Sequence, residues 1–210
     1  MQFINIGIDK IDKIFHIADV HIRNVNRHKE YSEVFKKLYS YIKANKTSDS
    51  IIYVAGDIVH AKTDMSPELI DMTSNFFRSL ADIAPTLIIT GNHDCNLNNS
   101  NRLDALSPIV TALKHTDIHY LKDNDVYCIS NIHFNVMSVF EKPANYIKAS
   151  EFEGDIKVAL HHGAVDSAKT DIGYEISNNH VKTSLFKGHD LVLLGDIHKP
   201  EQYLDDEKTI

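Results

Sequence analysis

The sequence predicts an α/β protein in which two packed sheets are flanked by helices. Strand-like apolar runs alternate with segments of helical periodicity in the first half of the chain. The second half carries short strand-like runs and little helical periodicity. The composition, with 43% hydrophobic and 24% charged residues among 210, is ordinary for a soluble globular protein. Because no repeat and no Gly/Ser-rich linker divides the chain, we predict a single domain over residues 1–210.

The first half predicts three strands, each followed by a helix. Ser66 can cap the second helix and Pro67 suits its first turn, whereas Pro108 predicts a kink or a break in the third helix. This order of elements implies a parallel sheet with right-handed crossovers. The elements are strand 13–18, helix 27–44, strand 51–55, a helix from 66, strand 86–90 and helix 102–114.

The second half predicts five further strands with weak helical signal between them. Two packed sheets with flanking helices suit this mixture of elements. The predicted strands are 118–121, 126–130, 133–139, 156–160 and 191–194.

Composition excludes several classes of protein. Cys95 and Cys128 are too few for a disulfide framework or a four-sulfur zinc site. No apolar run reaches the roughly 18 residues that cross a bilayer, and the first residues lack the pattern of a signal peptide. We therefore expect a soluble, intracellular protein of the cytoplasm, nucleoid or nucleus with no membrane partner.

Polar residues follow the apolar strands at five places. The carboxyl ends of strands form the ligand-binding edge of an open α/β sheet, so these five groups can converge on one crevice. Three of the groups begin with glycine, which frees the backbone to turn sharply. The groups are Asp19-Val20-His21, Gly56-Asp57-Ile58-Val59-His60, Gly91-Asn92-His93-Asp94, His161-His162-Gly163 and Gly195-Asp196-Ile197-His198.

The side chains of these groups predict a centre of divalent metal ions. Carboxylate, amide and imidazole ligands together suit manganese above all, and they do not suit a thiolate-rich zinc site. Asp19 and His21 are two residues apart and share one side of an extended backbone, as Asp196 and His198 do. A bridging carboxylate could hold two metals roughly 3.5–4 Å apart, the separation used in two-metal phosphoryl chemistry.

Turn formation is the alternative interpretation of each group. A single Asp-x-His or Gly-Asp after a strand is usually a turn. Five such groups in order, each behind an apolar run, favour a functional interpretation. The histidines outside the pattern are interpreted as structural or solvated, namely His16, His28, His115, His119, His133, His180 and His189.

At these residues the chain resembles the calcineurin-like metallophosphoesterases. Their signature runs Asp-x-His, Gly-Asp-x-x-Asp/His, Gly-Asn-His-Asp/Glu, a histidine after a late strand, and Gly-His-x-His. All five blocks have a counterpart here, in order, within residues 13–200. The resemblance implies a four-layer α/β/β/α metallophosphoesterase sandwich of two packed mixed sheets, with a dinuclear metal centre.

Within that family the chain looks most like the SbcD-type nucleases of double-strand-break repair, which pair with an SMC-like ATPase. His60 stands where most relatives have a second aspartate, and the third block ends in Asp94 where phosphoprotein phosphatases usually have glutamate. The last block continues into Lys199-Pro200, as it does in these nucleases. The run Asp-Val-His-Ile-Arg-Asn and the Asn-rich loop after Asp94 are similar to viral members of the group.

The resemblance implies a ligand for each metal at the matching positions. Asp57 would bridge the two ions. His161 is preferred to His162 because, in the nucleases, one residue and then often glycine follow the ligand. The first metal would be held by Asp19, His21 and His198, and the second by Asn92, His161 and Asp196.

The resemblance also implies the catalytic histidines. His93 would face the phosphate, steadied by Asp94, and His60 would be a second histidine on the phosphate side. The reaction implied is hydrolysis of a phosphodiester by a water that two divalent metals, manganese or else magnesium, activate. His93 would stabilise the transition state or protonate the leaving oxygen, since the unperturbed pKa of histidine, about 6.5, lies near working pH.

Two features depart from the family pattern. Asp196 replaces the first histidine of Gly-His-x-His, and because aspartate is a competent ligand for manganese or magnesium, we expect an altered metal preference. The family resemblance also implies that the closing strands, the DNA-binding cap and the ATPase-docking segment are absent from this chain, which ends at Ile210.

The charge balance bears on DNA binding. Lys plus Arg is 22 and Asp plus Glu is 29, giving a net charge of −7, whereas a broad nucleic-acid face is usually basic. Two bound divalent ions add +4, which leaves −3. Arg23, Arg27, Lys29 and Arg102 flank the predicted site in sequence and are candidates to meet DNA phosphates, with a solvated surface role as the alternative.

The predicted function is that of a metal-dependent DNA nuclease acting in repair or recombination with an SMC-like ATPase. One alternative is a phosphoesterase that acts on a small phosphodiester or on a phosphoprotein. The other alternative is a non-catalytic scaffold that docks the ATPase. A homodimer is also considered, because SbcD-type nucleases are usually dimers.

Overall fold

The computed structural model describes residues 1–25, 27–99, 102–170, 172–177 and 181–198. The predicted Lys199-Pro200 tail lies outside the described residues. The helices are α1 (His28–Asn45), α2 (Pro67–Ala81) and α3 (Leu106–Leu113). The strands are β1 (Gln2–Ile4), β2 (Lys13–Ile17), β3 (Ser50–Ala55), β4 (Thr86–Ile89), β5 (Ile118–Tyr120), β6 (Val126–Ile129), β7 (Ile132–Met137), β8 (Lys157–His162) and β9 (Leu191–Gly195).

The first sheet has the strand order β2-β3-β4-β5, and every pairing in it is parallel. The predicted alternation of strands and helices is confirmed, because α1 follows β2, α2 follows β3 and α3 follows β4. The prediction that both sheets are mixed is wrong for this sheet, because all its pairings are parallel. Strand β5 joins it instead of the second sheet because the short α3 returns the chain beside β4.

Alternate residues of β3 build the two sides of the first sheet. Ile52 and Val54 pack with the helices, in a core that includes Phe35, Phe76 and Leu80. Ile51, Tyr53 and Ala55 point the other way, into the core between the two sheets. Since all six residues of β3 are buried, its continuous apolar run is explained by packing on both faces.

The second sheet has the order β1-β6-β7-β8-β9 and is mixed. Its β6–β7 pair is antiparallel, and its other pairings are parallel. The strand β1 escaped prediction because its three residues are too few for an alternating pattern, and two of them are exposed. The two-sheet α/β architecture predicted from the sequence is confirmed.

The outer face of the second sheet is covered differently from that of the first. Met137, Val192 and Phe186 belong to an apolar cluster there, together with Val165 and Val181. In the described part of the chain, the helical elements of this region are three short 3₁₀ turns, which are Pro143–Asn145, Ala149–Glu151 and Thr183–Phe186. The fourth layer of the sandwich therefore consists of turns and loops. Among the described residues, no helix combines the length and apolar character needed to cross a membrane.

Asp104 determines where α3 begins. The helix starts at Leu106 and not at residue 102, because the Asp104 carboxylate accepts hydrogen bonds from the backbone N–H groups of Leu106 and Ser107, 2.9 and 2.7 Å away. Pro108 lies in the first turn, where its missing N–H costs nothing, so it neither kinks nor splits the helix. Lys122 forms an ion pair with the same buried carboxylate at 2.8 Å.

We expect Asp104→Ala to lower the free energy of unfolding by about 1–2 kcal/mol at pH 7. Burial opposes ionisation of Asp104, but the hydrogen bonds from Lys122 and Ser107 outweigh it and lower the pKa of the carboxyl. The stabilisation is therefore present above the unfolded pKa of about 3.9 and is lost as pH falls through the lower folded value. Urea unfolding at pH 7 and pH 3 measures this, and the exposed Asp123→Ala serves as control. Equal stability of Asp104→Ala and the native chain at pH 7 would contradict the assignment.

Candidate metal centre

The carboxyl ends of five parallel strands bring the predicted groups to one edge of the sandwich. Hydrogen bonds link them across the two sheets. The backbone N–H of Asp196, after β9, donates to Oδ1 of Asp19, after β2, over 2.9 Å. Nε2 of His162, at the end of β8, lies 3.2 Å from Oδ1 of Asn92, after β4. The convergence expected from the sequence is therefore observed for these groups.

Asp57 lies at the centre of the group and is buried. Its Oδ1 accepts a hydrogen bond from the backbone N–H of His93 at 2.8 Å and lies 3.3 Å from Nε2 of His162. Its Oδ2 lies 3.5 Å from Nε2 of His21. One carboxylate thus faces imidazoles from both sides, which is the position required of the bridging ligand.

The predicted ligands of the first metal lie together. One donor atom from each of Asp19, His21 and His198 falls within 4.8 Å of the others. Nε2 of His21 and Nε2 of His198 face each other at 3.0 Å. Nδ1 of His21 is buried and has no hydrogen-bond partner among the described residues.

The predicted ligands of the second metal are brought together with one exception. Asp19, Asp57 and His162 form a second set of donors within 4.8 Å of one another, and Oδ1 of Asp196 lies 3.8 Å from Nε2 of His162. Asp196 therefore reaches the site despite replacing the histidine of the family pattern. The exception is His161.

The prediction of His161 as a ligand was wrong, and His162 takes the position. Successive residues of a strand point to opposite faces, so His162 shares the inter-sheet face with Val158 and Leu160. His161 points to the outer face, where its ring packs against those of Tyr146 and Phe186. Burial lowers the pKa of His161 to about 4, so it is a neutral core residue.

The charge of His162 is set by the carboxylates around it. Its Nδ1–H donates to the carbonyl oxygen of Ala55 over 2.6 Å, which directs Nε2 into the site. Burial favours the neutral ring, but the hydrogen bond and charge of Asp57 outweigh it and raise the pKa of His162 to about 9. In the metal-free chain a proton on Nε2 thus balances part of the negative charge that a metal ion would otherwise balance.

The donor set fits divalent metal ions. Three carboxylates, one amide and three imidazoles meet here, and this mixture suits manganese or magnesium. The facing nitrogens of His21 and His198 need a shared cation, or a single proton, between them. Burial raises the pKa of Asp196, and the charges of Asp57 and Asp19 add to that effect. A bound cation would relieve this repulsion.

The backbone at the site is strained in a way that aims the ligands. Asp19, His21, Asp57, Asp196 and His198 all have positive φ angles, of 54, 48, 51, 88 and 55°. Such values are uncommon for residues other than glycine, and they occur mostly where tertiary contacts enforce them. Their concentration at five of the seven predicted ligands supports a functional purpose for the geometry.

Glycine is required beside two of these ligands because of close approach. A Cβ atom on Gly91 would lie 2.1 Å from Oδ1 of Asp57, and one on Gly195 would lie 2.7 Å from Nδ1 of His162. The sequence suggested sharp turning as the reason for these glycines. The structure shows instead that they leave room for ligand side chains.

His93 and His60 line the open side of the site. The ring of His93 lies 4.7 Å from that of His21 and 5.7 Å from that of His60, measured between centroids. Nδ1–H of His93 donates to the carbonyl oxygen of His60 over 2.7 Å. Nε2 of His93 is therefore the nitrogen available to a substrate.

The prediction that Asp94 steadies the His93 ring was wrong. Asp94 is fully buried, and its carboxylate accepts hydrogen bonds from the backbone N–H groups of Val59 and Gly91, both at 2.9 Å. Burial raises the pKa of Asp94 to about 7. Asp94 thus ties two site loops together, while the backbone of His60 orients His93.

Lys62 is a site residue that the sequence analysis missed. Its ammonium group donates to the backbone carbonyl of Asn92 over 3.0 Å and so holds the loop that carries a predicted ligand. A lysine on a polar loop gives no signal of this role before the fold is known.

The three arginines predicted to meet DNA differ in their surroundings. Arg23 and Arg102 are exposed. Arg27 is also exposed but forms a 2.6 Å ion pair with Glu30, so its charge is already partly balanced. A contact between Arg27 and a phosphate would have to compete with this pair.

Comparison with known proteins gives three findings. Residues 12–200 match the family described as Calcineurin-like phosphoesterase. Uncharacterized protein R555 of Acanthamoeba polyphaga mimivirus is 49% identical over 211 residues, which covers 96% of this chain but 16% of the viral protein. The chain thus spans about a sixth of that relative's length. The crystal structure of Pseudomonas putida nuclease MPE is similar with a TM-score of 0.37 at 15% identity, over 74% of this chain and 61% of that one.

Proposed function

The chain belongs to the calcineurin-like phosphoesterase family of metal-dependent phosphoester hydrolases, and we propose that it is a DNA nuclease. The observation that carries the proposal is the pairing of His60 with His93. His60 occupies the position that is aspartate in most relatives, its ring lies beside that of His93, and its carbonyl orients that ring. This histidine is the feature in which the chain resembles the SbcD-type nucleases.

The proposed reaction is hydrolysis of a phosphodiester bond in DNA. Two divalent ions, when bound, lower the pKa of the attacking water and neutralise charge on the phosphate oxygens. Asp19, His21 and His198 would hold one ion, and Asn92, His162 and Asp196 the other, with Asp57 between them. We propose manganese as the preferred metal because the site mixes oxygen with nitrogen donors.

His93 would handle the leaving group. As the oxygen of water bonds to phosphorus, the bond from phosphorus to the departing sugar oxygen breaks, and that oxygen needs a proton. Because Nδ1–H of His93 donates to the carbonyl of His60, Nε2 carries a proton only in the imidazolium form of the ring. That form would give the Nε2 proton to the leaving oxygen and remain as the neutral ring with its proton on Nδ1. The proton that the attacking water loses passes to solvent.

We further propose a role in DNA repair or recombination with an SMC-like ATPase as partner. This rests on the resemblance of the second, third and fifth sequence blocks to those of the SbcD-type nucleases. Assembly as a homodimer is proposed on the same basis.

A small phosphodiester is the second candidate substrate. The net charge of −7 and the ion pair of Arg27 with Glu30 favour it over a long polyanion. Of the residues predicted to meet DNA, Arg23, Lys29 and Arg102 then remain as the exposed cations for a backbone contact.

The test is cleavage of end-labelled linear double-stranded DNA, run beside an aryl phosphodiester, with manganese, with magnesium and with EDTA. We expect both substrates to be cleaved with manganese and neither with EDTA. Asp57→Asn, which keeps the size of the side chain, should abolish both activities. Turnover of the aryl diester alone would indicate that the substrate is a small phosphodiester and not DNA. No activity in folded, manganese-loaded protein would refute the catalytic proposal.

A further inference from the structure

A cavity of about 600 Å³ opens on the second sheet, away from the metal centre. Its lining includes Lys148, Lys157, Lys187, Ser150 and Ser184. Lys157 is the first residue of β8, whereas the metal-site His162 is the last. At about 3.3 Å per residue, the strand places the cavity roughly 16 Å from the metal centre.

Lys157 holds its positive charge at a fixed place in the wall of the cavity. Its ammonium group donates to the carbonyl oxygens of Ala149 and Phe152, both over 2.7 Å, and lies 4.9 Å from the centroid of the Phe152 ring. An ammonium group has three N–H donors, so one donor is not used by these two carbonyls.

Nearby carboxylates do not pair with the lysine ammonium groups of the cavity. Among the described residues, no carboxylate oxygen lies within 4 Å of Nζ of Lys148, Lys157 or Lys187. The carboxylates of Glu151 and Asp190 instead accept hydrogen bonds from the backbone N–H groups of Lys148 and Lys157, respectively. The described residues that line the cavity include three lysines and no acidic residue, in a chain of net charge −7.

We infer that this cavity binds a phosphate group. Three ammonium groups and two hydroxyl groups supply donors to its oxygens, and the volume admits a nucleotide as well as free phosphate. On the proposed function, the phosphate belongs to the backbone of the nucleic acid being cleaved, several nucleotides from the scissile bond. The phosphate chemistry itself does not depend on that function.

The first test is a titration of ¹⁵N-labelled protein with inorganic phosphate in EDTA, where the metal centre cannot attract the anion. We expect the amide signals of Ser150 and Gly188 to move in a saturable way. The double variant Lys148→Gln/Lys187→Gln should weaken this binding by about tenfold, since both side chains lose a charge-assisted hydrogen bond. Lys37→Gln/Lys43→Gln, with two exposed lysines of α1 replaced, carries the same change of charge and should bind like the native chain.

The second test measures binding of a single-stranded oligonucleotide, again in EDTA, as a function of salt. If the phosphate belongs to nucleic acid, Lys148→Gln/Lys187→Gln should make the slope of log affinity against log salt shallower by about 1.4, at about 0.7 per phosphate contact. An unchanged slope together with the phosphate shifts would assign the cavity to free phosphate.

Absence of saturable shifts at Ser150 and Gly188 would overturn the inference. Shifts of equal size in the two double variants would also overturn it, because they would reflect net charge alone. Both readouts are made without catalysis, so failure of the nuclease proposal leaves them interpretable.

Discussion

We expect His93→Ala to lower the turnover of an aryl phosphodiester by about 10²–10³-fold with little change in stability. On the proposed mechanism the ring would supply Nε2 to the substrate. The bond that fixes the loop runs from the backbone N–H of His93 to Asp57 and survives the substitution. Turnover numbers with manganese and the thermal midpoint of the same preparations measure the two effects. Manganese affinity, measured by calorimetry, should stay within a few-fold of the native value because His93 is not a predicted ligand.

His115→Ala is the matched control for that experiment. His115 lies on the loop after α3, and its Nε2 is 3.2 Å from Oδ1 of Asp82. The control therefore removes a bonded imidazole from another part of the molecule. It should retain native turnover. Full activity of His93→Ala would instead place proton transfer on another group or on solvent.

The positions of the ligands could be predicted from sequence because each lies next to a strong local signal. Asp19, Asp57 and Asn92 each follow an apolar run at the point where a parallel strand ends. Parallel pairing then brings those ends to one edge whatever the details of packing. This explains why the residues predicted as ligands, His161 excepted, lie together at one edge of the fold.

The strand face on which a side chain lies, and the direction in which a loop side chain points, could not be predicted in the same way. The choice between His161 and His162 depends on which face of β8 meets the first sheet, and a run of buried residues conceals that choice. The positions of the Asp94 carboxylate and the Lys62 ammonium depend on loops that meet in the folded chain. Alternation along β8, with Val158 and Leu160 placed in the core between the sheets, is the signal that would have identified His162.

The matched pair His162→Asn and His161→Asn tests this assignment directly. The amide nitrogen of asparagine can replace Nδ1–H of histidine, so each variant keeps its bond to a backbone carbonyl, that of Ala55 or that of Met137. Each variant loses only Nε2. We expect His162→Asn to weaken manganese binding by about 10²-fold and to lower turnover at least as much, since a direct ligand is lost.

His161→Asn should leave manganese binding close to native, because Nε2 of His161 is buried in the outer cluster without a hydrogen-bond partner among the described residues. Its effect should appear in stability, as a loss of about 1–3 kcal/mol from the smaller side chain beside Tyr146 and Phe186. Electron paramagnetic resonance of free manganese reports binding, and urea unfolding reports stability. If His161→Asn lost the metal and His162→Asn kept it, β8 would have to present its other face to the first sheet. Ala55 would then lack the imidazole that its carbonyl now binds.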